Sequence, residues 1–151
     1  MIKTIPLADE AETLQCGAKL AACVEPGTLI FLEGNLGAGK TTFCRGFLRG
    51  LGYQGKVKSP TYTLLEVYEV AGKEIIHCDF YRLTQVHELE FIGLQDYFQT
   101  AFAVLIEWAE KVDEALPNPD MICHLTIVNT SRVVNFEAKN LRGQAILKKL
   151  R

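Results

Sequence analysis

Four residues in the stretch "FLEGNLGAGKTT" have the types and spacing that suit phosphate binding. Gly34, Gly39, Lys40 and Thr41 match G-x-x-x-x-G-K-[ST] in full. Glycines let successive backbone N–H groups face one anion, and a helix that follows them adds the positive end of its dipole. Lys40 is then expected to reach the β- and γ-phosphates, and the Thr41 hydroxyl to bind Mg²⁺. The stretch therefore predicts a nucleotide-phosphate site.

The residues on either side of this loop predict the elements that must position it. "TLIFLE" is a short apolar run rich in β-forming residues, and "KTTFCRGFLRGLG" places its apolar residues on one helical face. Strand, glycine loop and helix are the context that the motif requires. Thr42, the next residue, either contacts the α-phosphate through its N–H and hydroxyl or lies on the helix surface.

Magnesium at such a loop needs a second anchor, usually an acid at the end of a neighbouring buried strand. Glu107 follows "AFAVLI", the most hydrophobic strand candidate, and Asp79 follows "IIHC", which is shorter and less apolar. We expect Glu107 on the metal side, with capping of the next helix as the alternative. Asp79 is then available to orient or deprotonate the attacking water, or for structural hydrogen bonding.

Two further segments carry groups that could act on a nucleotide. In "KSPTYTL", Pro60 restricts Ser59 to extended backbone, and the hydroxyls beside an aromatic ring could respond to the γ-phosphate as switch segments do. Serine, threonine and proline are also ordinary turn residues. Arg132, in a turn between predicted strands, could stack on a base or clamp a phosphate, or remain solvated.

The pattern of the remaining chain predicts one α/β domain over residues 1–151. Asp9 and Glu12 suggest the start of a helix near residues 10–24, and a second helix is expected to run from Thr84 through "QVHELEFIGLQDYF", although Gly93 weakens it. "AGK" joins the arms of a hairpin that ends at Asp79. The other expected elements are a buried strand "AFAVLIEW", a hairpin of "MICHLTIVN" and "RVVNFEAK", and a closing helix "GQAILKKLR".

Composition limits the classes of function. The net charge of -2 gives no basic excess for gripping nucleic acid, so stable DNA binding is not expected and any RNA involvement is indirect or local. No apolar run is long enough for a membrane span and no signal peptide is evident, so we expect a cytoplasmic protein. The five cysteines form no C-x-x-C pair and predict buried thiols. The three histidines are isolated from acids at metal spacing and predict packing or surface roles.

The segments "GNLGAGKTT", "GKVKSPTYTL", "HCDFYRL", "HELEFIGLQDYF" and "LIEWAEK", in this order, closely resemble the bacterial TsaE (YjeE) family over nearly the whole chain. The resemblance implies a P-loop NTPase-like, mostly parallel sheet flanked by helices, with antiparallel hairpin additions. It also implies a Mg²⁺-dependent ATPase, weak alone, that is required for the threonylcarbamoyladenosine modification beside the anticodon of tRNA. Such a protein binds the TsaB–TsaD complex, meets tRNA indirectly through it, and hydrolyses ATP to permit repeated turnover.

The resemblance also implies roles by position. Lys40, Asp79 and Thr61 are the catalytic candidates, Thr61 within a switch-like loop, and Thr41 and Glu107 are the Mg²⁺ ligands. The expected nucleotide-binding residues are Gly34, Asn35, Gly37, Ala38, Gly39, Lys40, Thr41, Thr42, Glu10, Lys111 and Arg132. At Asn35 relatives often have Asp, so this chain lacks a negative charge near the phosphates. Trp108 follows the metal acid as in the family, with packing as its expected role.

Other functions share the phosphate loop. A small nucleoside or nucleotide kinase is the enzyme alternative, but the six arginines are scattered and no arginine-rich lid segment is evident. A GTPase would need an [NT]-K-x-D element, which does not follow the loop. A nucleotide-gated docking module, in which ATP mainly stabilises a docking surface and hydrolysis is slow, is the alternative from a different class.

Overall fold

A seven-stranded mixed sheet forms the centre of the computed structural model, which describes all 151 residues. The strands are β1 (Ile2–Leu7), β2 (Thr28–Glu33), β3 (Leu65–Val70), β4 (Lys73–Asp79), β5 (Ala103–Glu107), β6 (Met121–Val128) and β7 (Ser131–Ala138). Their spatial order is β1-β7-β6-β2-β5-β4-β3. The central strands β6, β2, β5 and β4 pair in parallel, and β7, β1 and β3 extend the two edges antiparallel. The predicted fold class is confirmed.

Five helices cover the sheet: α1 (Glu10–Ala21), α2 (Lys40–Gly50), α3 (Glu88–Ile92), α4 (Leu94–Thr100) and α5 (Leu141–Lys149). The cap predicted for α1 is present, because Asp9 Oδ1 accepts from the N–H of Glu12 at 2.9 Å and Glu12 accepts from the N–H of Ala8 at 3.2 Å. None of these helices combines the length and the apolar character that a membrane span needs.

Two hydrophobic cores lie on opposite faces of the sheet because side chains alternate along each strand. Along β2, Ile30 and Leu32 belong to the core under α1, α2 and α5, whereas Leu29 and Phe31 belong to the core under α3 and α4. All five cysteines are buried and unpaired, as predicted. Burial raises the pKa of their thiols, to about 11 for Cys16.

The structure corrects three predictions of secondary structure. Arg132, expected in the turn between the last two strands, is the second residue of β7. The helix expected from Thr84 is two short helices, because Gly93 adopts φ +71° and separates α3 from α4. The segment "IKTIPL", for which no strand was predicted, is edge strand β1 and pairs along β7 from Ile2 opposite Glu137 to Leu7 opposite Arg132.

The two helices α1 and α2 approach each other closely because glycines occupy their contact. A Cβ on Gly46 would lie 2.1 Å from the carbonyl oxygen of Leu14, and one on Gly17 would lie 2.3 Å from that of Phe43. Both obstacles are backbone atoms that rotamer changes cannot move. The helix that follows the phosphate loop is therefore held by a contact that only glycine permits.

Gly46→Ala should destabilise the protein even though alanine is the better helix former by about 1 kcal/mol. The helices must separate to admit the methyl group, and such overpacking costs about 1–3 kcal/mol. Urea unfolding measures the change, with Lys148→Ala on the exposed face of α5 as the control. An unchanged or increased stability for Gly46→Ala would contradict this account of the contact.

Candidate functional site

Three neighbouring parallel strands end at one edge of the sheet and bring the candidate residues together. Leu32 of β2 is the register partner of Glu107 at the end of β5, and Glu107 is the partner of Asp79 at the end of β4. The glycine loop leaves β2 at the same level. Carboxyl ends of parallel strands are where ligands bind in open α/β sheets.

The loop between β2 and α2 has the backbone conformation that its glycines were predicted to permit. Gly34, Gly37 and Gly39 have φ values of +152°, +81° and +103°, a region that residues with a Cβ rarely adopt. Gly39 caps α2 without a side-chain hydrogen bond, and the first turn of α2 contains no acid. The first N–H groups of this helix are therefore available to an anion.

Lys40 places its ammonium group inside this loop. The group donates to the carbonyl oxygen of Gly34 and lies 3.7 Å from the centroid of the Trp108 ring. Burial lowers the pKa of Lys40, and the charges of Glu107, Glu110 and Asp79 oppose that effect. Trp108, predicted to pack, thus forms a half-buried surface on which the lysine rests, with its own backbone at φ +60°.

Thr41 and Glu107 form the polar centre of the site. The Thr41 hydroxyl lies 3.0 Å from both carboxylate oxygens of Glu107, whose side chain is buried. A hydroxyl and a carboxylate are oxygen donors of the kind that Mg²⁺ prefers. The residues therefore fit the predicted magnesium site in chemical type and in proximity.

Asp79 is linked to the loop "KSPTYTL" by hydrogen bonds. Its Oδ2 accepts from the Thr61 hydroxyl at 3.2 Å, Thr61 pairs with the Ser59 hydroxyl at 2.8 Å, and its Oδ1 accepts from the N–H of Tyr81 at 2.9 Å. Burial raises the pKa of the Asp79 carboxyl, and the charge of Glu107 adds to this, while the bonds from Tyr81 and Thr61 oppose it. The structure thus places Thr61 within hydrogen-bonding distance of Asp79, and a catalytic role for each stays a prediction.

A cavity of about 240 Å³ lies beside the loop, on the side of α1 and the β6–β7 turn. Arg132 donates to the carbonyl oxygen of Gly37 at 3.1 Å and forms one wall, and Glu10, paired with Arg45 at 2.8 Å, forms another. The sequence did not predict the other residues of the wall, because their residue types are common in turns and helix caps. The full lining is Asp9, Glu10, Thr13, Gly37, Gly39, Thr42, Thr130, Ser131 and Arg132.

Lys111, a predicted nucleotide contact, does not line this cavity. Its ammonium lies 5.3 Å from the centroid of the Tyr81 ring, and Tyr81 in turn packs against Trp108 with the ring centroids 5.0 Å apart. Asn35 lies within the loop, where its backbone carbonyl oxygen accepts a hydrogen bond from the N–H of Ala38 at 3.0 Å.

His77 contradicts the expectation that the histidines are remote from acids. It is fully buried, and its Nε2 lies 2.6 Å from Glu107 Oε2. A sequence signal was available, because residues two apart on a strand share a face and His77 precedes Asp79 by two. His124 also has acidic neighbours, with Glu33 at 3.2 Å and Glu137 at 3.4 Å.

Comparison with known proteins identifies relatives along most of the chain. A family model described as "Threonylcarbamoyl adenosine biosynthesis protein TsaE" matches residues 7–135. The "tRNA threonylcarbamoyladenosine biosynthesis protein TsaE" of Haemophilus influenzae is 44% identical over 144 residues, which cover 92% of this chain and 91% of that protein. The Bacillus subtilis protein of the same name is 42% identical over 106 residues, 70% of this chain and 66% of that protein.

A solved structure has the same fold. The crystal structure of Bacillus subtilis YdiB superposes with a TM-score of 0.84 at 31% sequence identity, and the match covers 99% of this chain and 95% of that one.

Binding of a phosphate ligand should change the fluorescence of Trp108, the only tryptophan in the chain. The ammonium of Lys40 lies over the indole, and a bound phosphate would draw it away. Titration with ADP measures the change in emission, and Lys40→Ala should remove most of it, whereas Lys148→Ala should not. An emission that is constant during binding, with binding shown by calorimetry, would contradict this role for Lys40.

Proposed function

Because the chain belongs to the TsaE family, we propose that it binds ATP at the loop after β2 and hydrolyses it as part of tRNA threonylcarbamoyladenosine biosynthesis. The observation that carries the proposal is the meeting of Lys40, Thr41, Glu107 and Asp79 at one sheet edge. The family membership supports the pathway, and this cluster supports the chemistry.

The loop and α2 supply the groups that hold phosphates. No side chain caps the first N–H groups of α2, so they are available to phosphate oxygens. Lys40 would exchange the carbonyl oxygen of Gly34 for β- and γ-phosphate oxygens. Thr42 lines the adjoining cavity, and we assign its N–H and hydroxyl to the α-phosphate. The cavity beside Arg132 then receives the nucleoside, and the guanidinium offers a flat surface for the base.

Thr41 and Glu107 would hold Mg²⁺, which supplies neutralisation of the charge on the phosphates. Asp79 orients the attacking water and accepts its proton. Its raised pKa makes the carboxylate a better base than an exposed aspartate, and the bonds from Thr61 and Tyr81 fix its direction. Because Thr61 bonds Asp79 and Ser59 bonds Thr61, a change at the nucleotide would be transmitted through Asp79 and Thr61 to Ser59, which is exposed.

A nucleotide-gated docking role is the second candidate, favoured by the loop that Thr61 anchors. Tyr62, next to Thr61, is 81% exposed and stacks only against the guanidinium of Arg82 at 4.8 Å. An exposed aromatic side chain next to the residue that bonds Asp79 is suited to report the nucleotide state to a partner. The proposed partner is the TsaB–TsaD complex in the cytoplasm, through which tRNA is met indirectly.

Variants of three residues should separate binding from hydrolysis. Lys40→Ala and Glu107→Ala should lower Mg²⁺-dependent phosphate release from ATP about 10²-fold or more, because each removes a group that balances transition-state charge. Asp79→Asn should retain ATP binding and lose hydrolysis, because the amide keeps the shape but accepts no proton.

Phosphate release and nucleotide binding are measured on the same preparations, with Lys148→Ala as the exposed control. Full ATP hydrolysis by Lys40→Ala or Glu107→Ala would overturn the mechanism. Loss of ATP binding by Asp79→Asn would indicate that Asp79 is a ligand of the metal. Transfer of phosphate to an added nucleoside would instead support a kinase.

Addition of the TsaB–TsaD pair should raise the rate of phosphate release above the weak rate of the protein alone. In a reconstituted tRNA modification assay, repeated turnover should then require this chain and ATP, and Lys40→Ala should fail. If a non-hydrolysable ATP analogue supports full turnover, the docking role is correct and hydrolysis is not the function.

A further inference from the structure

We propose that His77 is a positioning residue that fixes the Glu107 carboxylate for Mg²⁺, an inference that rests on the proposed function. The two side chains are joined by a hydrogen bond of 2.6 Å, with His77 fully buried and Glu107 2% exposed. His77 lies on β4 two residues before Asp79, beneath the strand ends that form the site. It reaches the metal side of the site only through Glu107.

The direction of the hydrogen bond follows from the chemistry of its two ends. An ionised carboxylate only accepts, so Nε2 of His77 carries the proton. The other ring nitrogen, Nδ1, is buried without a partner. The bond from Nε2 to Glu107 is therefore the one that orients the ring.

A single N–H donor to one carboxylate oxygen is what a metal-binding acid needs from its support. An ammonium or guanidinium at this position would neutralise Glu107 and compete with a cation for it. The single N–H of Nε2 instead holds Oε2 and leaves Oε1 to Thr41 and the cation. With Oε2 held, the carboxylate presents both oxygens to Thr41 at 3.0 Å, which keeps the two candidate ligands adjacent.

A metal shared by Cys44, His77 and Glu107 is the competing interpretation, since donor atoms of all three lie within 4.8 Å of one another. The 2.6 Å separation of Nε2 and Oε2 is a hydrogen bond, whereas two donors on one tetrahedral zinc lie about 3.3 Å apart for bonds near 2.0 Å. Burial also raises the pKa of the Cys44 thiol well above its ordinary value, which opposes the thiolate that a metal would need.

The test measures ADP affinity by calorimetry with and without Mg²⁺, so that no hydrolysis intervenes. His77→Leu should weaken the Mg²⁺ affinity of the ADP complex about 10–100-fold, as loss of a partner of a metal ligand does, and leave metal-free ADP binding unchanged. His77→Gln places an amide N–H near the position of Nε2 and should restore most of the Mg²⁺ affinity. Cys44→Ala should bind Mg²⁺ as the unaltered protein does.

His77→Asn keeps the test decisive if the leucine variant does not fold. Its amide is one bond shorter than that of glutamine and cannot reach Glu107, so it should bind Mg²⁺ more weakly than His77→Gln at similar thermal stability. Equal Mg²⁺ affinity of the two amide variants would overturn the proposal. A loss for Cys44→Ala as large as that for His77→Leu would also overturn it, in favour of a shared metal.

Mg²⁺ binding by the unaltered protein distinguishes a failure of the proposed magnesium site from a failure of the role proposed for His77. If Mg²⁺ does not strengthen its ADP binding, the proposed magnesium site fails and this inference fails with it. If Mg²⁺ strengthens ADP binding in the unaltered protein and equally in His77→Leu, only the role of His77 is wrong.

Discussion

Parallel pairing of β2, β5 and β4 with their ends in register is the constraint on which the site depends. Because Asp79 is opposite Glu107, and Glu107 is opposite Leu32, the backbone alone determines that two acids and the glycine loop meet. Side chains from these strand ends and from the loop are then close enough to form hydrogen bonds, as Thr41 and Glu107 do. Hairpins at both edges and the glycine contact between α1 and α2 hold these strands and the loop helix in place.

The balance of charge at this edge explains why its hydrogen bonds are numerous. Two buried carboxylates, on Asp79 and Glu107, face one buried ammonium on Lys40. Buried charge is costly unless it is paired and hydrogen-bonded. Hydroxyl, imidazole and backbone N–H groups supply the hydrogen bonds to these carboxylates. Two carboxylates facing one ammonium are the surroundings that the proposed cation would meet.

Sequence reasoning predicted the parts of this structure that depend on local pattern. The phosphate loop, the buried strands, the hairpin ending at Asp79 and the placement of Glu107 all follow from motif spacing and hydrophobic periodicity. Edge strand β1 was missed because its half-exposed segment is stabilised by β7, more than a hundred residues away. The place of His77 two residues before Asp79 could have indicated a position near the acids. Its partner Glu107 lies on the neighbouring strand, however, and only the strand order identifies that residue.

The buried thiols at the foot of the site have a chemical consequence. Cys44 lies one turn after Thr41 on α2, and Cys78 lies between His77 and Asp79 on β4, where burial raises the pKa of both thiols. Oxidants and alkylating reagents attack the thiolate, which is scarce at such sites and covered by packed atoms. Modification of Cys44 therefore requires α2 to separate from the sheet. The slowness of that reaction becomes a measure of how firmly the phosphate-binding helix is held.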